Sequence, residues 1–264
     1  MLLVIPVIIM HRGESDYVND VVAQARKRAQ NVVVLGDGQN FATDRQDKYC
    51  ESAKAFEGLY EHLSTNGYNI ELMCFTRWFI LKDYMKVHGI NVCLHLDSDV
   101  LLYIDPEDIW MSYDQFDITL SHRCCGSAAF FTLKGLEKFC SFIMDTYTEK
   151  NSYDYSRLVS HYQTRQKHGL TGGVCDMTLL EHYGYKHCGE IGEMMHIIGS
   201  SAWDHNINEP DQGFMIDPAT GIKRITFIKG MPTGYQETTD RVIKFNSLHF
   251  QGPAKRYIKR HLTI

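Results

Sequence analysis

The sequence predicts an α/β fold in which a mixed, mostly parallel sheet is flanked by helices and a mixed C-terminal half packs against it. Two short apolar runs, "LLVIPVIIM" and "NVVVLGDG", are typical of buried strands. Between them, "SDYVNDVVAQARKRAQ" repeats apolar residues at helical spacing, with Ser15 or Asp16 as the N-cap. The order strand, helix, strand indicates a βαβ unit, whose two strands run parallel.

The same kind of patterning continues toward the middle of the chain. Long helical regions are predicted at roughly 46–66 and around 73–88, and "INVCLHL" is the next strand. The stretch "DPEDIW" begins a turn or short helix at its proline, and the apolar segments "FDITLS" and "AAFFTL" follow it. A further helix is predicted at "KGLEKFCSFIMDTYTEK".

The second half of the sequence is less regular. Its strand candidates are short: "GFMIDP", "IKRITFI" and "RVIKFNSLHF". No internal repeat, low-complexity segment or linker separates the two halves. We therefore expect residues 1–264 to form a single domain, with one half at about 1–103 and the other at about 104–264.

Composition excludes some classes of function. With 264 residues, 44% apolar and 22% charged, the chain is an ordinary globular protein, and its net charge of −5 argues against a general nucleic-acid binder. The tail "PAKRYIKRHL" is a local exception, because it clusters Lys255, Arg256, Lys259 and Arg260. The sequence leaves open whether this cluster faces phosphates or an anionic membrane surface, or is the solvated face of a terminal helix.

The cysteines and the N-terminus favour a cytoplasmic protein. The eight cysteines are scattered and form no C-x-x-C pair, so we interpret them as reduced core thiols rather than zinc ligands. The run "MLLVIPVIIM" has no preceding basic region and is too short to span a bilayer. We expect it to be a buried strand.

Polar residues follow three of the predicted strands. "HLDSDVLLY" places Asp97 and Asp99 directly after "INVCL", "GDG" at 36–38 ends the second strand, and "MHRGES" at 10–15 ends the first. Ligands of open α/β sheets bind at the carboxyl ends of the strands. The three loops are therefore expected to converge on one cleft.

The two aspartates suggest a divalent cation. Neighbouring carboxylates repel each other unless a positive charge lies between them, and Mg²⁺ or Mn²⁺ with carboxylate, water and phosphate ligands supplies that charge. The D-x-D pattern alone is weak, and a pair of turn or cap aspartates is the structural alternative. Asp97-x-Asp99 is the only D-x-D in the chain and follows an apolar strand, which strengthens the metal hypothesis.

A second block, "SLHFQGPAKRY", lies near the end of the chain. His249 ends an apolar run, and Gly252 and Lys255 follow it in an H-x-x-G-x-x-K pattern. A neutral imidazole can complete a carboxylate-bound metal site, a glycine permits close approach to a phosphate, and a lysine adds a positive charge. Together with the upstream aspartates, this block indicates a site for a metal and a diphosphate.

The two blocks resemble one known group of enzymes. "FTRWFILKDYMKVHGINVCLHLDSDVLLY" followed by "LHFQGPAK" looks like the GT-A glycosyltransferases of the glycogenin and bacterial lipopolysaccharide galactosyltransferase group. The resemblance implies a GT-A fold, a nucleotide-sugar donor and a Mn²⁺ (or Mg²⁺) cofactor. It makes the half at about 1–103 the nucleotide-sugar-binding half and the half at about 104–264 the acceptor half. It further implies that Asp97, Asp99 and His249 hold the metal.

The resemblance also assigns the remaining donor contacts. It implies that Lys255 and the backbone around Gly252 contact the diphosphate, and that Arg77 approaches the donor sugar or diphosphate. The loops around His11 and Asp37 are implied to contact the base and ribose. From the residues alone, Arg77 could equally pair on a helix surface, and Asp37 could be a turn residue.

A third segment, "CDMTLL", resembles the family's D-Q-D-x-L-type segment beside the donor sugar. Asp176 matches the first aspartate, but Met177 stands where the family often has glutamine and cannot act as a nucleophile or polar stabiliser. For an inverting reaction, Asp176 is the candidate base on the acceptor hydroxyl. A helix N-cap is an equal alternative for Asp176. The nearby segment "SYDYSRLVSHYQTRQKHG" either contributes aromatic residues to an acceptor site or packs in the core.

Two other classes of protein remain open. Haloacid-dehalogenase-like phosphatases also place D-x-D after an apolar strand, but normally on the first strand and with a later acidic pair such as D-D, and no D-D occurs in this chain. A non-catalytic module that binds a sugar nucleotide is the other alternative. The sequence favours a glycosyltransferase whose partners are a nucleotide-sugar donor and a saccharide or glycoconjugate acceptor, with possible membrane contact through the basic tail.

Overall fold

The structure, a computed structural model, describes residues 4–37 and 42–263. The strands of the described chain are β1 (Val7–Met10), β2 (Val32–Gly36), β3 (Asp44–Arg45), β4 (Val92–Asp97), β5 (Val100–Leu102), β6 (Ile118–Leu120), β7 (Ala128–Thr132), β8 (Ile191–Glu193), β9 (Ser201–Trp203), β10 (Ile216–Asp217), β11 (Ile222–Lys223), β12 (Ile225–Ile228), β13 (Met231–Gln236) and β14 (Arg241–His249). The α-helices are α1 (Tyr17–Arg26), α2 (Glu51–Glu57), α3 (Tyr68–Val87), α4 (Pro106–Trp110), α5 (Leu133–Thr148), α6 (Tyr153–Lys167) and α7 (Asp176–Lys186). Short 3₁₀ helices cover Gln46–Tyr49, Asp211–Gly213 and Gly252–His261.

The larger sheet has seven strands in the order β3-β2-β1-β4-β7-β6-β8. Strands β3, β2, β1 and β4 run parallel to one another, and only the pairings of β7 with β4 and β6 are antiparallel. This arrangement confirms the predicted α/β class with a mostly parallel sheet. Because Met10 is the register partner of Asp97, the loops after β1 and β4 leave the sheet side by side.

Alternate residues of the central strands enter two separate cores. On β1, Val7 and Ile9 belong to the core on one face of the sheet, and Ile8 belongs to the core on the other. On β4, Leu94 belongs to the same core as Val7 and Ile9, and Cys93 belongs to the same core as Ile8. A strand covered by apolar side chains on both faces reads as a continuous apolar run. This is the physical reason why "VIPVIIM" and "INVCLHL" were recognisable as strands.

The second sheet joins the aspartate block to the end of the chain. Its order is β12-β13-β14-β5, and β9 adds to β14 in parallel. Strand β5 follows Asp99 directly and pairs antiparallel with β14, so that Val100 is the register partner of His249. This pairing brings the two distant sequence blocks together. Strands from both sides of residue 103 occur in these two sheets, whereas β10 and β11 form a separate two-stranded sheet; the predicted division of the domain into two halves stays a prediction.

Several predicted elements differ from the structure. The helical region predicted at 46–66 contains only a 3₁₀ turn and α2, which ends at Glu57, whereas the next helix begins earlier than predicted, at Tyr68. The basic tail forms a 3₁₀ helix over Gly252–His261. The stretch "IKRITFI" divides into β11 and β12.

The elements that were not predicted include helix α6, strand β13 and the short strands β8 and β9. Helix α6 begins after Ser152, whose side chain accepts a hydrogen bond from the Tyr155 backbone N–H, and it buries only Tyr155 and Leu158. With so few buried residues, its apolar periodicity is too weak to recognise. Strand β13, "MPTGYQ", contains a proline and a glycine, two residues that are depleted in strands.

Two further expectations concern reduced cysteines and a membrane-spanning segment. All eight cysteines are free, as expected; Cys93, Cys125 and Cys140 are buried, but Cys188 is exposed and is not a core residue. Within residues 4–37 and 42–263, no helix has both the length and the apolar character needed to cross a bilayer.

Candidate metal and nucleotide-sugar site

The strand ends form a cavity of about 240 Å³. It lies beyond the carboxyl ends of β1 and β4, where the sequence predicted a cleft. The lining residues are Met10, His11, Arg12, Gln46, Met73, Arg77, Asp97, Ser98 and Asp99. Four of the predicted site residues, His11, Arg77, Asp97 and Asp99, therefore face the same space.

Asp97, Asp99 and His249 form the centre of this site. One ligand atom from each side chain lies within 4.8 Å of the others. His249 Nε2 is 3.4 Å from Asp99 Oδ1, and Lys255 Nζ is 3.0 Å from Asp99 Oδ2. Asp99 and His249 are buried, and Asp97 is partly buried. The structure thus brings the D-x-D together with the histidine and lysine of the H-x-x-G-x-x-K block.

Positive side chains neutralise the two carboxylates. Burial alone would lower the pKa of His249, but its hydrogen bond to Asp99 and the Asp99 charge outweigh burial and raise this pKa to about 10. For Lys255, burial again acts to lower the pKa, and the Asp99 charge raises it above its ordinary value. Burial would raise the pKa of Asp97, but the Arg77 charge and the contact with His95 hold it well below its ordinary value.

Arg77 connects this centre to Asp176. Its Nη1 donates to Asp97 Oδ1 at 2.7 Å, and its Nε and Nη2 donate to Asp176 Oδ2 at 3.2 and 2.6 Å. Trp78 Nε1 donates to the same Asp176 oxygen at 3.0 Å. Helix α3 therefore presents consecutive residues, Arg77 and Trp78, to hold two carboxylates. Asp176 is the first residue of α7, and Cys175, rather than Asp176, occupies the N-cap position.

The donor set fits a hard divalent cation. Two carboxylates and an imidazole within 4.8 Å supply oxygen and nitrogen ligands, which Mn²⁺ and Mg²⁺ accept. His249 Nδ1 lies 2.5 Å from the His205 carbonyl oxygen. A carbonyl can only accept a hydrogen bond, so Nδ1 carries the proton and Nε2 is the atom directed toward Asp99.

Of the two predicted base and ribose contacts, His11 lines this cavity, whereas Asp37 is not among its lining residues. The Gly13 backbone N–H donates to Asp37 Oδ2 at 2.8 Å, which links the loops after β1 and β2. His11 Nδ1 is 2.8 Å from Ser98 Oγ, between the two aspartates in sequence. Burial is the largest influence on His11 and lowers its pKa. Gly38, the last residue of the "GDG" stretch, lies outside the described residues.

Gly252 is placed as the sequence suggested. Its φ is +58°, a conformation that other residues rarely adopt, and a side chain added there would meet no atom within 4 Å. The backbone at this turn is therefore open on the side a Cβ would occupy. Lys255 follows one turn of 3₁₀ helix later.

A second cavity, of about 420 Å³, lies on the Asp176 side of the ion pair with Arg77. Its lining residues are Asn66, Ile70, Glu71, Cys74, Cys124, His161, Arg165, Gly172, Gly173, Cys175, Asp176, Met177, Thr178 and Glu181. His161 and Arg165 belong to the unpredicted helix α6. Met177 stands where the family that the sequence resembles often has glutamine, and it is 38% exposed at this cavity.

The "TGG" segment before Asp176 is tied to another loop. Ser64 and Gly173 form an isolated antiparallel bridge, and the Thr65 N–H donates to the Gly172 carbonyl at 3.2 Å. A side chain at Gly173 would lie 2.2 Å from the Leu63 carbonyl oxygen. The segment is a fixed turn that leads directly into α7.

Sequence reasoning missed several residues that support the site. His95 lies 3.3 Å from Asp97 Oδ1, and Trp78 holds Asp176. Both stand beside predicted site residues in the sequence, and this adjacency was the only available indication. Asp204, which accepts a hydrogen bond from the His249 N–H, and Lys223, which binds Asp204, lie in stretches without any recognisable motif.

Comparisons with known proteins were made by sequence and by structure. No family model matches the sequence, and no curated protein matches it. Among solved structures, the galactosyltransferase LgtC in complex with donor and acceptor sugar analogs is 12% identical, with a TM-score of 0.46 over 98% of this chain and 97% of that one. A glycosyltransferase involved in glycosylating the major capsid of PBCV-1 is 12% identical, with a TM-score of 0.41 over 97% and 98% of the two chains.

A structure with another printed activity is also similar. A cytidylyltransferase from Leptospira borgpetersenii is 14% identical, with a TM-score of 0.32 over 70% of this chain and 96% of that one. Glycosyltransferases are among the structures that this chain resembles, as the sequence resemblance predicted. Similarity at this level does not distinguish one reaction from another, so the choice of reaction rests on the residues of the site.

Proposed function

We propose that this protein is a metal-dependent glycosyltransferase of the GT-A type. In this proposal it transfers a hexose from a nucleoside-diphosphate donor, a UDP-sugar by the sequence resemblance, to a saccharide or glycoconjugate. One observation carries the proposal: His249 and Lys255, from a block far away in the sequence, meet Asp97 and Asp99, and the two aspartates line the cavity. Carboxylates, imidazole and lysine in one place suit a divalent cation with a diphosphate.

The leaving group sets the chemical requirement. Breaking the glycosidic bond of the donor leaves negative charge on a nucleoside diphosphate, and a bound Mn²⁺ or Mg²⁺ would neutralise part of it. Asp97, Asp99 and His249 would hold that ion. Lys255 would exchange its contact with Asp99 for a diphosphate oxygen, with the open turn at Gly252 beside it. His11 and Asp37 would bind the base and ribose end.

Arg77 and Asp176 are proposed to orient the donor sugar between the two cavities. Arg77 already bridges Asp97 and Asp176, so it is in a position to link the metal end to the sugar end. Three hydrogen bonds occupy Asp176 Oδ2, which leaves Oδ1 for a sugar or acceptor hydroxyl. Asp176 stays the proposed base for an inverting reaction, since Met177 offers no polar atom suited to stabilise the reacting sugar.

The second cavity is the proposed acceptor side. It combines apolar surface from Ile70 and Met177 with the polar groups of Glu71, His161 and Arg165. Sugar rings have apolar faces and hydroxyl rims, which suits such a mixture. No feature of the cavity selects a particular saccharide.

We propose that three of the four cations in the basic tail contact an anionic membrane surface. Lys255 is directed to Asp99 in the site, whereas Arg256, Lys259 and Arg260 are exposed. Three exposed cations would add a weak electrostatic attraction to acidic lipids. A cytoplasmic location is proposed as well, and the free thiols of the chain support it.

A screen of nucleotide sugars tests the proposal. Hydrolysis or transfer of each donor is measured with and without Mn²⁺, for the wild-type protein, Asp99→Asn and the exposed control Asp114→Asn. We expect metal-dependent turnover of at least one donor, loss of that turnover in Asp99→Asn, and unchanged turnover in Asp114→Asn. Equal turnover of Asp99→Asn and wild type would refute the proposal. Metal-dependent hydrolysis of a generic phosphate ester instead would favour the phosphatase alternative.

A further inference from the structure

A buried charged cluster lies behind the histidine of the metal site. Lys223 Nζ donates to Asp204 Oδ1 at 2.6 Å and to the Asn206 carbonyl at 2.8 Å, and it also pairs with Asp211. The side chains of Lys223 and Asp204 are 1% and 0% exposed. Burying such a pair costs several kcal/mol per ion in desolvation, so the pair is weak evidence for a stabilising role alone.

The other oxygen of Asp204 holds the backbone of His249. The His249 N–H donates to Asp204 Oδ2 at 3.0 Å, and the Ile207 N–H donates to the His249 carbonyl at 2.9 Å. Next to Asp204, the His205 carbonyl accepts from the imidazole Nδ1 at 2.5 Å. The segment 204–207 therefore contacts His249 at its N–H, its carbonyl and its ring.

Lys223 fixes the segment that makes these contacts. It binds Asp204 and Asn206 on either side of His205 through its ammonium group, and its own N–H donates to the Ile207 carbonyl at 2.7 Å. The register pairing of β9 with β14 ends at Trp203 and Ser247, so segment 204–207 lies beyond it. Backbone hydrogen bonds from the Asp204 N–H to the Ser247 carbonyl and from the Ile207 N–H to the His249 carbonyl hold this segment beside β14, and the side-chain contacts of Asp204 and Lys223 add to them.

We propose that the buried Lys223–Asp204 pair is a positioning device that fixes segment 204–207 against His249 and so directs His249 Nε2 toward Asp99 for a divalent cation. The proposal rests on the metal site of the proposed function. Groups that orient the ligands of a metal typically change its affinity by about 10–100-fold when they are removed. Lys223 and Asp204 are positioning residues, since neither faces the cavity.

The test compares three variants of the full chain. Lys223→Met/Asp204→Asn removes both charges of the pair together and leaves only the partly buried Asp211 without the ammonium, Lys223→Met removes the ammonium alone, and Asp211→Asn is the matched control. Asp211 contacts the same lysine but not His249. Mn²⁺ affinity is measured by calorimetry, and folding is measured separately by urea unfolding.

We expect the double variant to fold and to bind Mn²⁺ about tenfold or more weakly, while Asp211→Asn stays within about twofold of wild type. A double variant with wild-type affinity overturns the positioning role even if its unfolding midpoint falls. The imidazole Nδ1 proton of His249, observed by NMR without metal, gives a second measurement. Its slowly exchanging resonance is expected in wild type and Asp211→Asn, and lost in the double variant.

The two measurements separate the positioning role from the proposed function. If the wild-type protein binds no Mn²⁺, the metal part of the proposed function fails, and the NMR arm alone decides on positioning. Retention of the Nδ1 resonance in the double variant then overturns the inference, and its loss supports it. If Lys223→Met alone does not fold, the charge-neutral double variant still provides the comparison.

Discussion

Asp97 and His249 end strands of different sheets, and different kinds of contact hold them. Asp97 ends β4 and is bound by Arg77 from the helix immediately before that strand and by His95 of the same strand. His249 ends β14 and is held by segment 204–207, which Lys223 of a separate hairpin fixes in turn. The aspartate side depends on neighbours in the sequence, and the histidine side depends on distant ones.

This difference indicates which kind of substitution would disturb each side of the site. Changes near Asp97 act on charge balance, because Arg77, Asp97 and Asp176 neutralise one another over short distances. Changes near His249 act on orientation, because its partners are mainly backbone groups and a buried ion pair. Perturbing each side in turn distinguishes an effect of charge from an effect of geometry.

The largest effect is expected for Arg77→Met. The substitution leaves two partly or fully buried carboxylates without their cation, which typically costs about 3–5 kcal/mol in the free energy of unfolding. Urea unfolding measures the cost, and saturating Mn²⁺ should reduce it because the ion restores positive charge beside Asp97. Arg45→Met, which removes an exposed pair with Asp47, is the control and should cost less than about 1 kcal/mol. A cost for Arg77→Met no larger than for the control would contradict the charge argument.

His249→Ala should mainly change ligand binding. Removing the imidazole takes one ligand from the donor set, so Mn²⁺ affinity, measured by calorimetry, is expected to fall by about tenfold or more. His168→Ala, at an exposed helix end, is the matched control. An unchanged affinity in His249→Ala would remove this residue from the ligand set and leave the aspartates as the metal site.

Gly173→Ala tests the fixed turn before Asp176. The added Cβ would meet the Leu63 carbonyl and the Ser64 backbone at 2.2 and 2.5 Å, and forcing the two loops apart should cost about 1–3 kcal/mol. The control, Gly184→Ala, lies inside α7 with its nearest atom at 3.9 Å, and it should stabilise by about 0.5–1 kcal/mol. Thermal unfolding measures both changes. Equal stabilities would show that the two loops can separate freely.

The smallest effect is expected for Asp44 of β3, and it concerns how the free energy of unfolding changes at acid pH. Burial would raise the pKa of Asp44, but hydrogen bonds from Lys48, Tyr49 and the Arg45 N–H lower it from 3.8 to about 2. A carboxyl with a lowered folded-state pKa contributes stability above its unfolded pKa and loses that contribution as pH falls toward the folded value. Asp44→Asn should therefore lose less stability than wild type between about pH 4 and pH 2 in urea unfolding. Equal losses of unfolding free energy in Asp44→Asn and wild type between about pH 4 and pH 2 would contradict this prediction.

Most of the sheet could be predicted from the sequence because its cause is local. Strands β1, β2 and β4 are covered on both faces, so each appears as a continuous apolar run, and the polar residues after them mark the carboxyl ends. Asp97, Asp99 and Arg77 were found in this way or by resemblance. Helix α6 was missed because a mostly exposed helix has little apolar periodicity.

What the sequence determined by itself was the α/β class, the strand end with its two aspartates, and the pattern of histidine, glycine and lysine near the end of the chain. Only the tertiary structure decided that β5 pairs with β14 and brings Asp99 next to His249. It also decided that Arg77 bridges Asp97 to Asp176 and that Lys223 lies behind His249. The physical reason is that apolar periodicity reports which face of an element is buried, whereas a buried ion pair or a strand pairing depends on a partner far away in the chain.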